Sequence, residues 1–79
     1  SKNFIDKYDI KQVKNTYVIS GFMITKENFI QSTLDDIYVE TGSNSGKFTT
    51  VQVPINNFDL FLKNESIEYF QVAEKVKTN

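Results

Sequence analysis

Tyr17-Val18-Ile19-Ser20-Gly21-Phe22-Met23-Ile24 is rich in β-forming residues, and a glycine in its middle is unfavourable inside a helix. The pattern predicts a strand there. Gly21 in a strand interior predicts a bulge or a close approach of another backbone. Asp9 to Val13 is expected to be the hairpin partner, across Lys14-Asn15-Thr16.

Beyond that strand the period changes. Thr25 is a suitable N-cap for a short helix running to about Thr33, with Ile24 and Phe29 placed as a hydrophobic staple. Asp36 to Thr41 alternates and reads as a strand. Gly42-Ser43-Asn44-Ser45-Gly46 reads as a turn cluster, and Lys47 to Val53 as the returning strand. Asn56 is then expected to cap a second helix, with Ile55 and Leu60 as its staple and Asp59 in its first turn, where a carboxylate suits the helix dipole. Phe58, Phe61 and Leu62 would form its buried face. Ile67 to Glu74 closes as a strand, and Lys75 to Asn79 is expected to fray.

The grammar strand–helix–strand thus occurs twice. The connections from Ile24 to Ile37 and from Val53 to Ile67 leave twelve and thirteen residues, enough for a crossover. The expected class is α+β, a single small domain over residues 1–79, with a mostly antiparallel sheet of about four or five strands and two short helices. The order βαββαβ suggests a ferredoxin-like arrangement, although both helices are short for it. The rival is a curled antiparallel sheet with the helices as lids.

Composition narrows the chemistry sharply. The chain has no histidine, cysteine, arginine or tryptophan. Disulfides and the usual Cys/His zinc sites are excluded, and no serine or threonine has a histidine to activate it. A chain of 79 residues buries only roughly 60–65% of its unfolded surface. Its seven phenylalanines and four tyrosines must therefore supply core area, or self-association must supplement it. Nine lysines against ten carboxylates give a net charge of −1, without the basic surplus that phosphate binding favours. Lys, Asn, Ile, Phe and Tyr supply 36 of the 79 residues. All five have A/T-rich codons, which points to an A/T-rich genome such as that of a low-GC bacterium, its phages or plasmids.

No apolar run approaches the roughly 20 residues of a membrane span. Ser1 to Lys7 lacks the apolar stretch of a signal peptide, so a cytoplasmic protein is expected. Asn64-Glu65-Ser66 matches a glycosylation triplet, of a kind that also arises by chance.

Gly42-Ser43-Asn44-Ser45-Gly46-Lys47-Phe48-Thr49 is similar to a phosphate-binding loop but departs from it on three counts. Only three residues separate its glycines, Phe48 stands where the Mg²⁺-binding hydroxyl belongs, and a strand rather than a helix is expected to follow. Asp35 and Asp36 are adjacent, so on an extended strand they would point to opposite faces and could not converge on one atom. No catalytic, metal or cofactor site is therefore assigned.

The final strand carries apolar residues on both faces: Ile67, Tyr69, Gln71 and Ala73 on one, Glu68, Phe70, Val72 and Glu74 on the other. A strand of that kind is either covered twice or keeps one face for a partner. The expected function is a non-enzymatic protein-interaction domain, plausibly a phage or mobile-element accessory or inhibitor protein. It would bind a partner protein or itself through a sheet edge or aromatic face, using Tyr69, Phe70, Val72 and Leu60. The alternative is a small single-stranded nucleic-acid binder stacking bases on Tyr38 and Phe48, with Lys47 on phosphate.

Overall fold

Ten residues rich in β-formers and interrupted only by Ser20-Gly21, Thr16–Thr25, make the central strand β2, and the rest of the sheet is arranged on its two edges. The computed structural model describes residues 7–75. In chain order the elements are β1 (Ile10–Val13), β2 (Thr16–Thr25), α1 (Ser32–Asp35), β3 (Glu40–Ser45) and β4 (Phe48–Pro54). A 3₁₀ turn (Ile55–Asn57), α2 (Phe58–Leu62) and β5 (Ile67–Val72) follow. The class is α+β, with five antiparallel strands and, among these elements of the described residues, two short helices.

β4 occupies one edge of β2, from Val18↔Pro54 to Met23↔Thr49, and β3 lies beyond it. The other edge is shared. β1 covers the first half of β2 and β5 the second half, from Gly21↔Val72 to Thr25↔Ile67. Ser20 is the handover point: its N–H donates to the Asp9 carbonyl at 3.1 Å, and its own carbonyl accepts from the Ala73 N–H at 2.9 Å. Both backbone groups are satisfied by different strands, which lets one long strand serve two short ones. The path β1-β2-β4-β3, with β5 also on β2, is not in itself the ferredoxin-like order.

Alternation then sorts the side chains. Met23, Val51 and Val53 point to the face covered by the helices, where Leu34 of α1, Val39 and Phe61 of α2 complete a buried core. Phe29, Ile37, Phe58, Ile67 and Phe70 pack against it, half-buried. Phe70 meets Phe61 edge-on at 5.0 Å between centroids and Phe58 at 5.8 Å, and this ring cluster fastens α2 to β5. Gly21 is the floor beneath it. A Cβ there would stand 2.5 Å from the Phe70 ring and from the Gln71 carbonyl, so the glycine marks a close backbone approach.

Several elements differ from expectation. The helix after β2 does not begin at Thr25, which stays in the strand; Lys26 to Gln31 turns first, and α1 has a single turn. Asp36 to Thr41 is not one strand. Tyr38 takes φ +60°, its N–H donating to the Asp35 carbonyl and the Val39 N–H to the Leu34 carbonyl. That is the left-handed helix ending usually made by glycine, and it swings Val39 back onto Leu34 in the core. A tyrosine carries no sequence signal for it.

Residues 42–45 extend β3 rather than forming a wide turn, and the hairpin loop is Gly46-Lys47 alone, with Gly46 at φ +60°. Asn56 does not cap α2. Asn57 precedes it with no side-chain cap, its amide donating instead to the Ile37 carbonyl at 2.9 Å. Ile55 and Leu60 are both exposed and form no staple, and Leu62 is exposed rather than part of the buried face. Asn64 bonds Thr33 and Ser66, so the glycosylation-like triplet is a tie between the α1 and α2 turns. The expected fraying concerns, after Lys75, residues outside the described range; Lys75 itself donates to the Lys7 carbonyl.

Candidate functional site

α1 and α2 lie on one side of the sheet, and among the described residues no helix or strand lies over the other side. Read across the strands, its first row is Tyr69–Ile24–Phe48 and its next Gln71–Phe22–Thr50, by the register of β5, β2 and β4. Phe22, Phe48 and Tyr69 are each 40–42% exposed. Tyr69 meets Phe48 edge-on across the strands at 6.1 Å and an interplanar angle of 75°, and its hydroxyl donates to Gln71 Oε1 at 2.7 Å. These three rings form an apolar end to the open face.

Below Phe22 the face becomes a groove of about 420 Å³, lined by Asp9, Lys11, Ser20, Thr50, Gln52 and Glu40 among others. A smaller groove of about 210 Å³ continues it past Gln52 and Glu40 to Val18, Pro54 and Tyr38. Among the described residues no ion pair links Asp9, Lys11 and Glu40; the single pair is Lys7–Glu74, with 4.0 Å between charged atoms on the exposed surface. No group of three or more carboxylates gathers where it could hold a metal ion among those residues. Nor is any described helix long and apolar enough to cross a membrane.

The residues singled out from the sequence are separated by this geometry. Tyr69 lies on the open face. Phe70 and Val72 point the other way, Phe70 into the ring cluster, so these two are not partner contacts on that face. A bulge between Ile24 and Thr25 also returns Ile67 to the core side, off the face it was expected to share with Tyr69. Leu60 is 53% exposed, on α2 and away from the open face. Tyr38, at 77% exposure, is in a turn rather than on a strand. Phe48 and the Pro54 end of the face, where Tyr38 stands, are six residues apart on β4, or about 20 Å. Tyr38 and Phe48 therefore do not form one stacking platform. Lys47 is in the hairpin loop beside Phe48 and exposed.

Phe22 is the site residue that the sequence reading passed over. Its signal was present in the alternation of β2, where Val18, Ser20, Phe22 and Ile24 share a face. That signal acquires meaning only once the other face is known to carry the helices. The chain matches no protein-family model, no curated protein and no solved structure, so its functional reading rests on this geometry.

Proposed function

We propose that this chain is a non-enzymatic protein-interaction domain that docks a partner protein on the open face of its sheet. The observation that carries the reading is the contiguous exposure of Phe22, Phe48 and Tyr69 on the face opposite α1 and α2. Aromatic anchors beside a groove are the form that protein-binding hot spots take. Size and A/T-rich composition suit an accessory or inhibitor protein of a phage or mobile element, acting in the cytoplasm.

Single-stranded nucleic acid is the less favoured occupant. Stacking needs a ring face turned outward, whereas Phe48 and Tyr69 turn edge to face and Tyr69 is tied to Gln71. The carboxylates of Asp9 and Glu40 also border the groove. We further read β2-α1-β3-β4-α2-β5 as a shortened ferredoxin-like unit with β1 added. Support comes from the pairings: each helix joins two strands that have one other strand between them.

The test is affinity capture with the native chain and with Phe22→Ser/Phe48→Ser, beside light scattering with and without a poly-dT oligonucleotide. Partner proteins retained by the native chain and lost by a folded double variant support the reading. The same proteins on both, or a mass that rises with oligonucleotide, would overturn it.

A further inference from the structure

The outer edges of the sheet are guarded unequally. β3 is entirely polar, carries Gly42 and is bulged between Thr41 and Asn44, features that keep an edge from pairing with another chain. β1 has four residues and includes Lys11. β5, Ile67-Glu68-Tyr69-Phe70-Gln71-Val72, has no lysine and no proline, and its outer edge meets no strand among the described residues.

Three bonds on the inner side fix which backbone groups that edge presents. The Ala73 N–H donates to the Ser20 carbonyl, the Asp9 N–H to the Ala73 carbonyl, and the Lys75 N–H to the Lys7 carbonyl. Counting by twos, Tyr69, Gln71, Ala73 and Lys75 turn their N–H and C=O groups inward, while Phe70, Val72 and Glu74 turn theirs outward. Between α2 and β5 lies a cleft of about 220 Å³, with Phe61, Leu62, Glu68 and Phe70 among its walls. The charge beside this edge is of one sign. From Asn64 to Glu74 the chain carries Glu65, Glu68 and Glu74 and no lysine. Glu74 meets Lys7 only at 4.0 Å on the exposed surface.

We propose that the outer edge of β5 takes an extended strand of another protein, one with two alternating apolar residues flanked by a lysine or arginine at each end. Paired antiparallel, that strand sets one residue opposite each of Phe70, Val72 and Glu74 and exchanges two backbone hydrogen bonds with each. Phe70 and Val72 face the helix side of the sheet, so the residues opposite them are apolar, and the one opposite Phe70 lies nearest the cleft. A cation opposite Glu74 and another beside Glu68 complete the pattern cation–x–apolar–x–apolar–x–cation. Charge selects this occupant. A second copy of the chain, paired about Gln71, would set Glu68 against Glu74 twice, whereas a strand with a cation at each end meets both carboxylates. Phe22 and Phe48 take no part, so this edge site is independent of docking on the open face.

The end-blocked peptide Lys-Thr-Val-Thr-Val-Thr-Lys is the probe, titrated into the native chain with amide chemical shifts and hydrogen exchange as readouts. At roughly ten times its dissociation constant it should slow the Phe70, Val72 and Glu74 amides about tenfold. Tyr69 and Gln71, already bonded to β2, should hold their rates. The counterpart peptide with glutamate at both ends should not bind. Glu68→Lys, at an exposed position with no partner on β2, should weaken the lysine peptide and leave circular dichroism unchanged. No slowing of Phe70 and Val72 at any peptide concentration overturns the proposal, as do shifts confined to Phe22 and Phe48. Equal binding of the two peptides overturns it too. Slowing of the same amides with chain concentration alone would give the edge to a second copy and overturn it as well.

Discussion

Substituting Gly21→Ala adds one methyl group at the point where β2, β5 and the core rings come closest. Its carbon would stand 2.5 Å from Phe70 Cε1, 2.7 Å from Phe70 Cζ and 2.5 Å from the Gln71 carbonyl oxygen. Ordinary contact requires about 3.5–4.0 Å, so the ring must retreat by about 1 Å. It can do so only by loosening its edge contacts with Phe61 and Phe58. The carbonyl can retreat only by opening the β2–β5 ladder next to the Gly21↔Val72 pair. Overpacking of this kind costs about 1–3 kcal/mol, and each aromatic contact about 0.5–1.5 kcal/mol, for a total near 3 kcal/mol. For a domain of this size that lowers the melting temperature by about 12–24 °C.

Urea titration and thermal melting followed by circular dichroism read both quantities. A loss below about 0.5 kcal/mol, the level of an ordinary surface change, would refute the close approach. Adding Phe70→Leu provides a sharper check, because it removes the ring that the methyl strikes. The double variant should lose less than the two singles together, and additivity within about 0.5 kcal/mol would mean the two sites do not touch.

Phe70→Ala should cost about 3–5 kcal/mol and leave a chain that melts near or below room temperature; a stable, cooperatively folded variant would put the ring outside the core. Tyr38→Gly should be stabilising by about 0.5–1 kcal/mol, since the left-handed conformation costs a side chain roughly 1–2 kcal/mol and glycine returns part of that as unfolded-state entropy. Equal or lower stability in urea would contradict that account of the helix ending. Asn64→Ala removes the bonds to Thr33 and Ser66 and should cost about 1–2 kcal/mol. Asn64→Ser keeping full stability would show that those bonds carry little. Leu60→Ser, on an exposed position of α2, should change stability by less than about 0.5 kcal/mol, and a larger loss by thermal melting would argue that it packs.

Local sequence chemistry by itself determined a good deal of this protein. The β-formers of Tyr17–Ile24, the turn expected at Lys14-Asn15-Thr16, the turn cluster expected over Gly42 to Gly46, and Pro54 after an alternating run were enough to place β2, β4, β5 and a short β1, though 42–45 proved to be strand. The same pattern pointed to the α+β class, and Gly21 to a bulge or a close approach, of which the structure shows the close approach. Absent residue types removed whole chemistries without any structure. What escaped the sequence were features made by contacts remote in the chain. The helix ending at Tyr38 has no glycine to announce it, and α1 shrank to one turn because the chain from Lys26 to Gln31 is positioned by Phe29 packing against the core. The bulge at Glu68, which has no partner on β2, reverses the facing of Ile67.

Which of two apolar faces on β5 is buried was likewise undecidable from its own residues. Phe70 and Tyr69 are adjacent rings of nearly equal size. Alternation says that they point apart but not which one meets the helices. Only the tertiary structure settles that, by placing Leu34, Phe58 and Phe61 over one side of the sheet. Phe70 is then core, and Phe22, Phe48 and Tyr69 are left together in the open.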